Sequence, residues 1–194
     1  MNLYHEIIGI CWLLFIMAWI ALAAVFGGGG RRNYSSRSLG ARLFLAVAII
    51  FALRFSGHVP NQAFNGQTLF QPFTAHAGEL AAAGAVLCIA GLLFATWARV
   101  VLGRNWGMPM AIHDDPELIT SGPYQYVRHP IYTGLIAMWL GTLLVYPVVI
   151  LPGAAIIVYS LISAIREEHD MEQKFPEAYP EYRRHSKMLL PFLI

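Results

Sequence analysis

Between residues 122 and 134 the chain places Gly122, Pro123, Tyr124, Tyr126, Arg128, His129, Pro130, Tyr132 and Gly134. Tyrosines, an arginine and a histidine packed this closely, beside an apolar run, are suited to binding a charged small molecule at a membrane surface. Pro130 fits the first turn of a helix and marks its start. The unpaired backbone N–H groups of that turn favour a negative group such as a carboxylate or phosphate. Arg128 adds a permanent positive charge. A second cluster, Arg166-Glu167-Glu168-His169-Asp170, follows the last apolar run. Glu167 and Glu168 are suited to an amino group, to ribose hydroxyls or to a partner arginine. Residue types alone leave a plainer alternative open. Arg128 and His129 would then be juxtamembrane charges flanked by interface tyrosines, and the two glutamates solvated partners of Arg166 and Lys174.

Other chemistries find little support. His113, Asp114 and Asp115 are consecutive and rarely converge on one ion, and His169 with Glu172 lacks further ligands, so no metal is expected. Cys11 and Cys88 both sit inside apolar runs, where packing explains them. Gly27-Gly28-Gly29-Gly30 is not a phosphate-binding loop, since no Gly-Lys-Ser/Thr follows it. A net charge of +2 is too small to point to nucleic acid.

The elements that position the clusters are membrane helices. Of the 194 residues, 57% are apolar and 12% charged, where a soluble domain carries about 25% charged residues. Residues 3–26 form a first span, with no basic segment before it of the signal-peptide kind. A basic loop, 31–37, follows. A second, short span runs from 39 to 53 or 55, and 58–73 is a loop. Residues 78–102 form a third span. On it Ala77, Ala81, Gly84, Cys88, Gly91 and Ala95 recur at spacings of four and three, a face of small side chains suited to close packing in lipid. The polar segment 103–133 is too long for a plain connection and reads as functional.

Residues 134–165 are apolar for 32 positions. At ~1.5 Å per residue that is too long for one ~30 Å crossing and short for two. With Tyr146-Pro147 near the middle, it reads as a tight helical hairpin with two short arms. The charged stretch 166–175 continues as a helix, 179–187 forms a short amphipathic one with Pro176 and Pro180 bracketing the break, and 189–194 is an apolar tail. Five spans place every lysine and arginine except Arg54 on one side, which the positive-inside rule makes the cytoplasm. Four spans would put Arg128 and Glu167 on opposite faces. The expectation is therefore a single all-α integral membrane domain, 1–194, of five transmembrane helices. The N-terminus lies outside, and the C-terminus and site are cytoplasmic. Residues 1–98 supply the N-terminal spans and 99–194 the binding half.

The order Gly122-Pro123-Tyr124-x-x-Val127-Arg128-His129-Pro130-x-Tyr132-x-Gly134, a hydrophobic hairpin, Glu167-Glu168, then Phe175-Pro176-Glu177-x-Tyr179-x-x-Tyr182 resembles the isoprenylcysteine carboxyl methyltransferase family. The related phospholipid methyltransferases share the Arg-His-Pro and Glu-Glu elements. The likeness covers residues 99–187. It implies S-adenosylmethionine as cofactor, bound at the cytoplasmic face. Carried over by position, the cofactor site draws on Pro116, Glu117, Leu118 and Ile119, then Tyr124, His129, Pro130, Ile131 and Tyr132, and an acidic residue at Glu167 or Glu168. Of these two, Glu168 is assigned to the cofactor, and Glu167 with Arg128 and Arg166 to catalysis. Where eukaryotic relatives carry an arginine about four residues before the corresponding glutamate, this chain has Ser163.

The implied reaction is methyl transfer to the carboxylate of a lipidic acceptor, such as a C-terminal prenylated cysteine, in contact with the bilayer. A carboxylate is ionised at pH 7 and needs no general base. The protein's part is positioning and partial desolvation, with Arg128 or Arg166 orienting the acceptor. The lipid tail is expected to enter sideways between helices, and the cofactor from the cytoplasm. An amine acceptor, as in phospholipid N-methylation, would need a base, and Glu167 or Glu168 is the candidate. A sterol-type membrane reductase using NADPH and a non-catalytic scaffold are the alternatives of other classes.

Overall fold

The computed structural model describes residues 3–26, 77–106, 117–146 and 149–189. The expected second span, the loop at 58–73 and Pro116 lie outside the described residues. Among the described residues five α-helices follow in order: α1 (Leu3–Phe26), α2 (Ala77–Leu102), α3 (Pro130–Val145), α4 (Ile150–Lys174) and α5 (Ala178–His185), with 3₁₀ turns at Gly103–Asn105 and Gly122–Gln125. Among the described residues the only β pairing is an isolated parallel bridge between Val127 and Lys187.

The chain is an integral membrane protein. Leu3–Phe26, Gly78–Asn105 and Ile150–Lys174 are each long and apolar enough to cross a bilayer, and Pro130–Val145 is a shorter apolar helix. Large apolar side chains such as Leu13, Met17, Ile20, Val86, Leu93 and Leu151 are exposed along them, as a lipid-facing surface requires. α3 starts at Pro130, whose fixed φ suits the first helical position, the start that the sequence marks. It stops at Val145, ahead of Tyr146-Pro147, because a residue before proline is pushed out of the helical region. Its 16 residues span ~24 Å, the short arm the apolar length implies. α4 runs unbroken from the apolar arm into the charged stretch and ends at Lys174, just short of Pro176. Pro180 falls inside the first turn of α5 rather than at the break, since a helix start tolerates a missing N–H.

The small-residue face packs α2 against α3. A Cβ at Gly84 would lie 2.6 Å from the Gly141 carbonyl oxygen, and one at Gly91 would lie 2.6 Å from the Gly134 oxygen. The two pairs are antiparallel and two helical turns apart, so the backbones touch where lipid supplies no hydrophobic drive and close contact must do the work. α1 covers both helices. Trp12 donates from Nε1 to Thr142 Oγ1 at 2.9 Å, and its ring lies 5.1 Å from that of Trp139. Ile8, Cys11, Trp12, Phe15, Cys88, Leu92, Ala95 and Met138 fill this core. α4 approaches from the other side, burying Gly153 beside the Trp139 ring. The result is a hairpin whose charged ends, the start of α3 and the last turns of α4, emerge together.

Candidate active site

The site begins in a 3₁₀ turn. Gly122 has φ +61°, and Val101 at the end of α2 crowds the place a Cβ would take, so position and conformation both call for glycine. Pro123 and Tyr124 are buried by the turn. The chain then runs through Tyr126–His129 and pairs with the residues after α5. Arg128 N donates to Lys187 O at 2.8 Å, Lys187 N to Tyr126 O at 3.0 Å, and His129 N to Met188 O at 3.1 Å. Thr133 Oγ1 adds a bond to Leu189 O at 2.6 Å, and Tyr182 Oη one to Tyr124 O at 2.7 Å. This C-terminal strap satisfies two backbone donors that the start of α3 would otherwise leave unpaired.

Onto this frame α4 presents its acids. Arg128 Nε lies 2.7 Å from Glu168 Oε1, both side chains 9% exposed. Its Nη1 donates to the Ser186 and Arg183 carbonyls. Tyr132 Oη donates to Glu167 Oε1 at 2.7 Å. His129 Nδ1 stands 3.2 Å from Glu167 Oε2, while its Nε2 is 3.6 Å from Glu168 Oε1 and is buried without a hydrogen-bond partner among the described residues. Arg183 approaches Glu168 from the other side, Nε to Oε2 at 3.8 Å, and pairs with Glu172.

The electrostatics follow from burial and pairing. Burial works against a charged His129, but its contacts with Glu167 and Glu168 outweigh this and raise its pKa above the usual histidine value. Tyr124 is pushed above the ordinary tyrosine range mainly by burial. Burial likewise pushes Tyr182 up to about 12. Both hydroxyls stay protonated at neutral pH, and that of Tyr182 donates to the Tyr124 carbonyl.

Of the residues singled out in the sequence, Arg128, His129, Tyr132, Glu167 and Glu168 converge. Tyr124 and Pro130 are buried beside them, and Ile131 is half-buried in the first turn of α3. Glu117 is exposed and Leu118 and Ile119 half-buried in the segment leading to the Gly122 turn. Arg166 is exposed, ahead of the glutamates on α4. The structure adds Arg183, Ser186 and the strap carbonyls. Tyr179, only 2% exposed, and Tyr182 carried a signal through their spacing; Arg183 carried none, being one of several basic residues in a row.

Residues 80–178 match the profile of the phospholipid methyltransferase family, about half of the chain. The chain is 29% identical over 181 residues to the rice (Oryza sativa subsp. indica) "Probable protein-S-isoprenylcysteine O-methyltransferase", covering 89% of this chain and 87% of that protein. It is 35% identical over 75 residues to a methanethiol S-methyltransferase of Crocosphaera subtropica, covering 38% of this chain but only 29% of that one. The fold is similar to that of the eukaryotic intramembrane Ras methyltransferase, isoprenylcysteine carboxyl methyltransferase, with TM-score 0.55 and 22% identity. That match takes in 84% of this chain and 55% of the solved one.

Proposed function

The chain belongs to the phospholipid methyltransferase family, and from that premise we propose that it is an S-adenosylmethionine-dependent methyltransferase acting on the carboxylate of a lipidic acceptor, such as a prenylated cysteine. The observation that carries this is the joining of Arg128, His129 and Tyr132 to Glu167 and Glu168 at the mouth of an apolar hairpin. The relative aligned over most of both chains is named for that acceptor.

The residues fit the cofactor. It carries an ammonium, a sulfonium, a carboxylate and hydroxyls, and the site offers two carboxylates, a tyrosine hydroxyl and a buried imidazole nitrogen that has no hydrogen-bond partner among the described residues. Tyr124, His129, Pro130, Ile131, Tyr132 and Glu168 would hold it, with Glu117, Leu118 and Ile119 along its approach. When bound, it supplies an electrophilic methyl group. Arg128 holds Glu168 in place, and Glu167 and the exposed Arg166 are assigned to the acceptor in this proposal. A carboxylate acceptor arrives already ionised, so the protein's task is to aim it and strip water from it.

In this reading the N-terminus is outside and the clustered basic residues, with the site, are cytoplasmic. The five-span, single-domain arrangement belongs to the same proposal. A thiol acceptor is the second reading, favoured by the 75-residue likeness to a methanethiol S-methyltransferase. A thiol would need a base, and Glu167 is the half-buried acid beside the site.

The test is titration of the purified protein with S-adenosylmethionine, S-adenosylhomocysteine and NADPH. It is followed by methyl transfer to farnesylcysteine analogues, phosphatidylethanolamine and small thiols. Binding of the first two ligands and turnover of the prenylated carboxylate are expected. NADPH binding with no response to the other two would overturn the proposal.

A further inference from the structure

Arg183 is a site cation free to change partners. Arg128 is committed: its Nε is held by Glu168 at 2.7 Å, its Nη1 by the Ser186 and Arg183 carbonyls, and its side chain is 9% exposed. Turning it away would unpin the strap and leave Glu168 buried. Arg183 stands differently. Its side chain is 52% exposed, its Nε is 3.8 Å from Glu168 Oε2, beyond hydrogen-bonding distance, and its firm partner is the half-exposed Glu172. Pairs at the water's edge contribute little to stability, so exchanging one for a ligand anion costs little. Its main chain is fixed meanwhile, because the Arg183 carbonyl accepts from Arg128 and α5 is docked through Tyr179 and Tyr182.

Glu168 and Glu172 are one helical turn apart on α4, with the Arg183 guanidinium between them. A row of acid, base and acid complements a group carrying both charges on one carbon. Resting on the proposed use of S-adenosylmethionine, we propose that Arg183 and Glu172 form the subsite for the ligand's α-amino-acid end. The α-carboxylate displaces Glu172 from Arg183, and the α-ammonium is received by the glutamate row. A prenylated acceptor bearing a lone carboxylate offers only half of this complement. No bond to carbon changes in this exchange; one ion pair replaces another.

The experiment is calorimetric titration of the full-length protein in detergent with S-adenosylhomocysteine, and with 5′-methylthioadenosine, which lacks the amino-acid end. Arg183→Gln is expected to weaken S-adenosylhomocysteine binding roughly 10- to 100-fold and to leave 5′-methylthioadenosine unchanged. Arg183→Lys should restore part of the loss, since a lysine keeps the charge without the planar fork. Glu172→Gln distinguishes the subsite from a mere latch between α4 and α5. A latch predicts the same loss for both ligands in Arg183→Gln and Glu172→Gln alike. The subsite predicts that Glu172→Gln does not weaken 5′-methylthioadenosine binding and changes S-adenosylhomocysteine binding less than Arg183→Gln does. Equal loss for both ligands, or no loss for either, overturns the assignment. If the wild-type protein binds neither ligand, the proposed cofactor itself fails, an outcome distinct from wild-type binding that Arg183→Gln does not alter. A farnesylcysteine KM that rises in Arg183→Gln while S-adenosylhomocysteine affinity holds would move the subsite to the acceptor and overturn the proposal.

Discussion

Arg128 Nε and Glu168 Oε1 meet at 2.7 Å although 40 positions separate them in the chain, and both side chains are nearly closed to solvent. The pair ties the start of α3 to the end of α4, and through the Arg128 Nη1 it also holds the strap after α5. Removing one partner of such a pair leaves a buried charge uncompensated, which costs far more than the pair itself contributes. Glu168→Gln is therefore expected to destabilise the fold by about 3–5 kcal/mol. The readout is the apparent thermal midpoint in detergent. Glu167→Gln, whose side chain is 24% exposed, should lower it distinctly less; equal losses would contradict the structure.

The glycine pairs predict a steric series. Gly91→Ala places a Cβ 2.6 Å from the Gly134 carbonyl and 2.8 Å from the Met138 nitrogen, so α2 and α3 must separate. A loss of about 1–3 kcal/mol is expected, the usual consequence of overpacking. Gly78→Ala meets nothing within 4 Å and should leave the midpoint unchanged. Equal behaviour of the two variants in a detergent melt would sink this packing.

His129 gives the site a pH dependence. Its folded pKa lies above the ordinary 6.5, because Glu167 and Glu168 outweigh the burial that opposes its charge. The stabilisation from the protonated form is fully present below the unfolded value and is lost as pH rises through the raised folded value. Thermal midpoints measured across this range should fall with rising pH in the wild-type protein. In His129→Asn that slope should flatten. A slope retained in the variant would assign the titration to another group.

Tyr132→Phe removes only the hydroxyl that donates to Glu167 at 2.7 Å. Hydrogen bonds to charged groups contribute about 1.5–3 kcal/mol, so kcat/KM for the methyl acceptor is expected to fall roughly 10- to 100-fold. The bond also joins α3 to α4, so the melting midpoint should fall too, but less than in Glu168→Gln because Glu167 keeps its His129 contact. A large midpoint shift with unchanged kcat/KM would make the hydroxyl a structural group.

Much of the frame was legible because it is written locally. Pro130 announces the start of α3, Tyr146-Pro147 its end, and the small residues of α2 the face that meets Gly134 and Gly141. Thirty-two apolar residues, too many for one crossing, implied a hairpin and hence that Glu167 and Glu168 return to Arg128. The strap was not legible. Its bonds to Arg128 and His129 are backbone contacts across more than 50 positions, and the Thr133 hydroxyl ends on a backbone carbonyl; backbone groups are the same at every residue, so they leave no pattern to read.

Hydropathy, helix punctuation and charge asymmetry thus determined a bundle of membrane helices with two polar clusters at one end, because each signal depends on neighbours in the chain. The choice among adjacent charges belonged to the tertiary structure. Successive residues on a helix point about 100° apart. On α4 that rotation leaves Arg166 exposed, sends Glu167 to Tyr132 and His129, and buries Glu168 against Arg128. Nothing in Arg-Glu-Glu as a string orders those three roles. The rotation of α4 against α3 does, since packing two helices fixes which side of each one closes on the other.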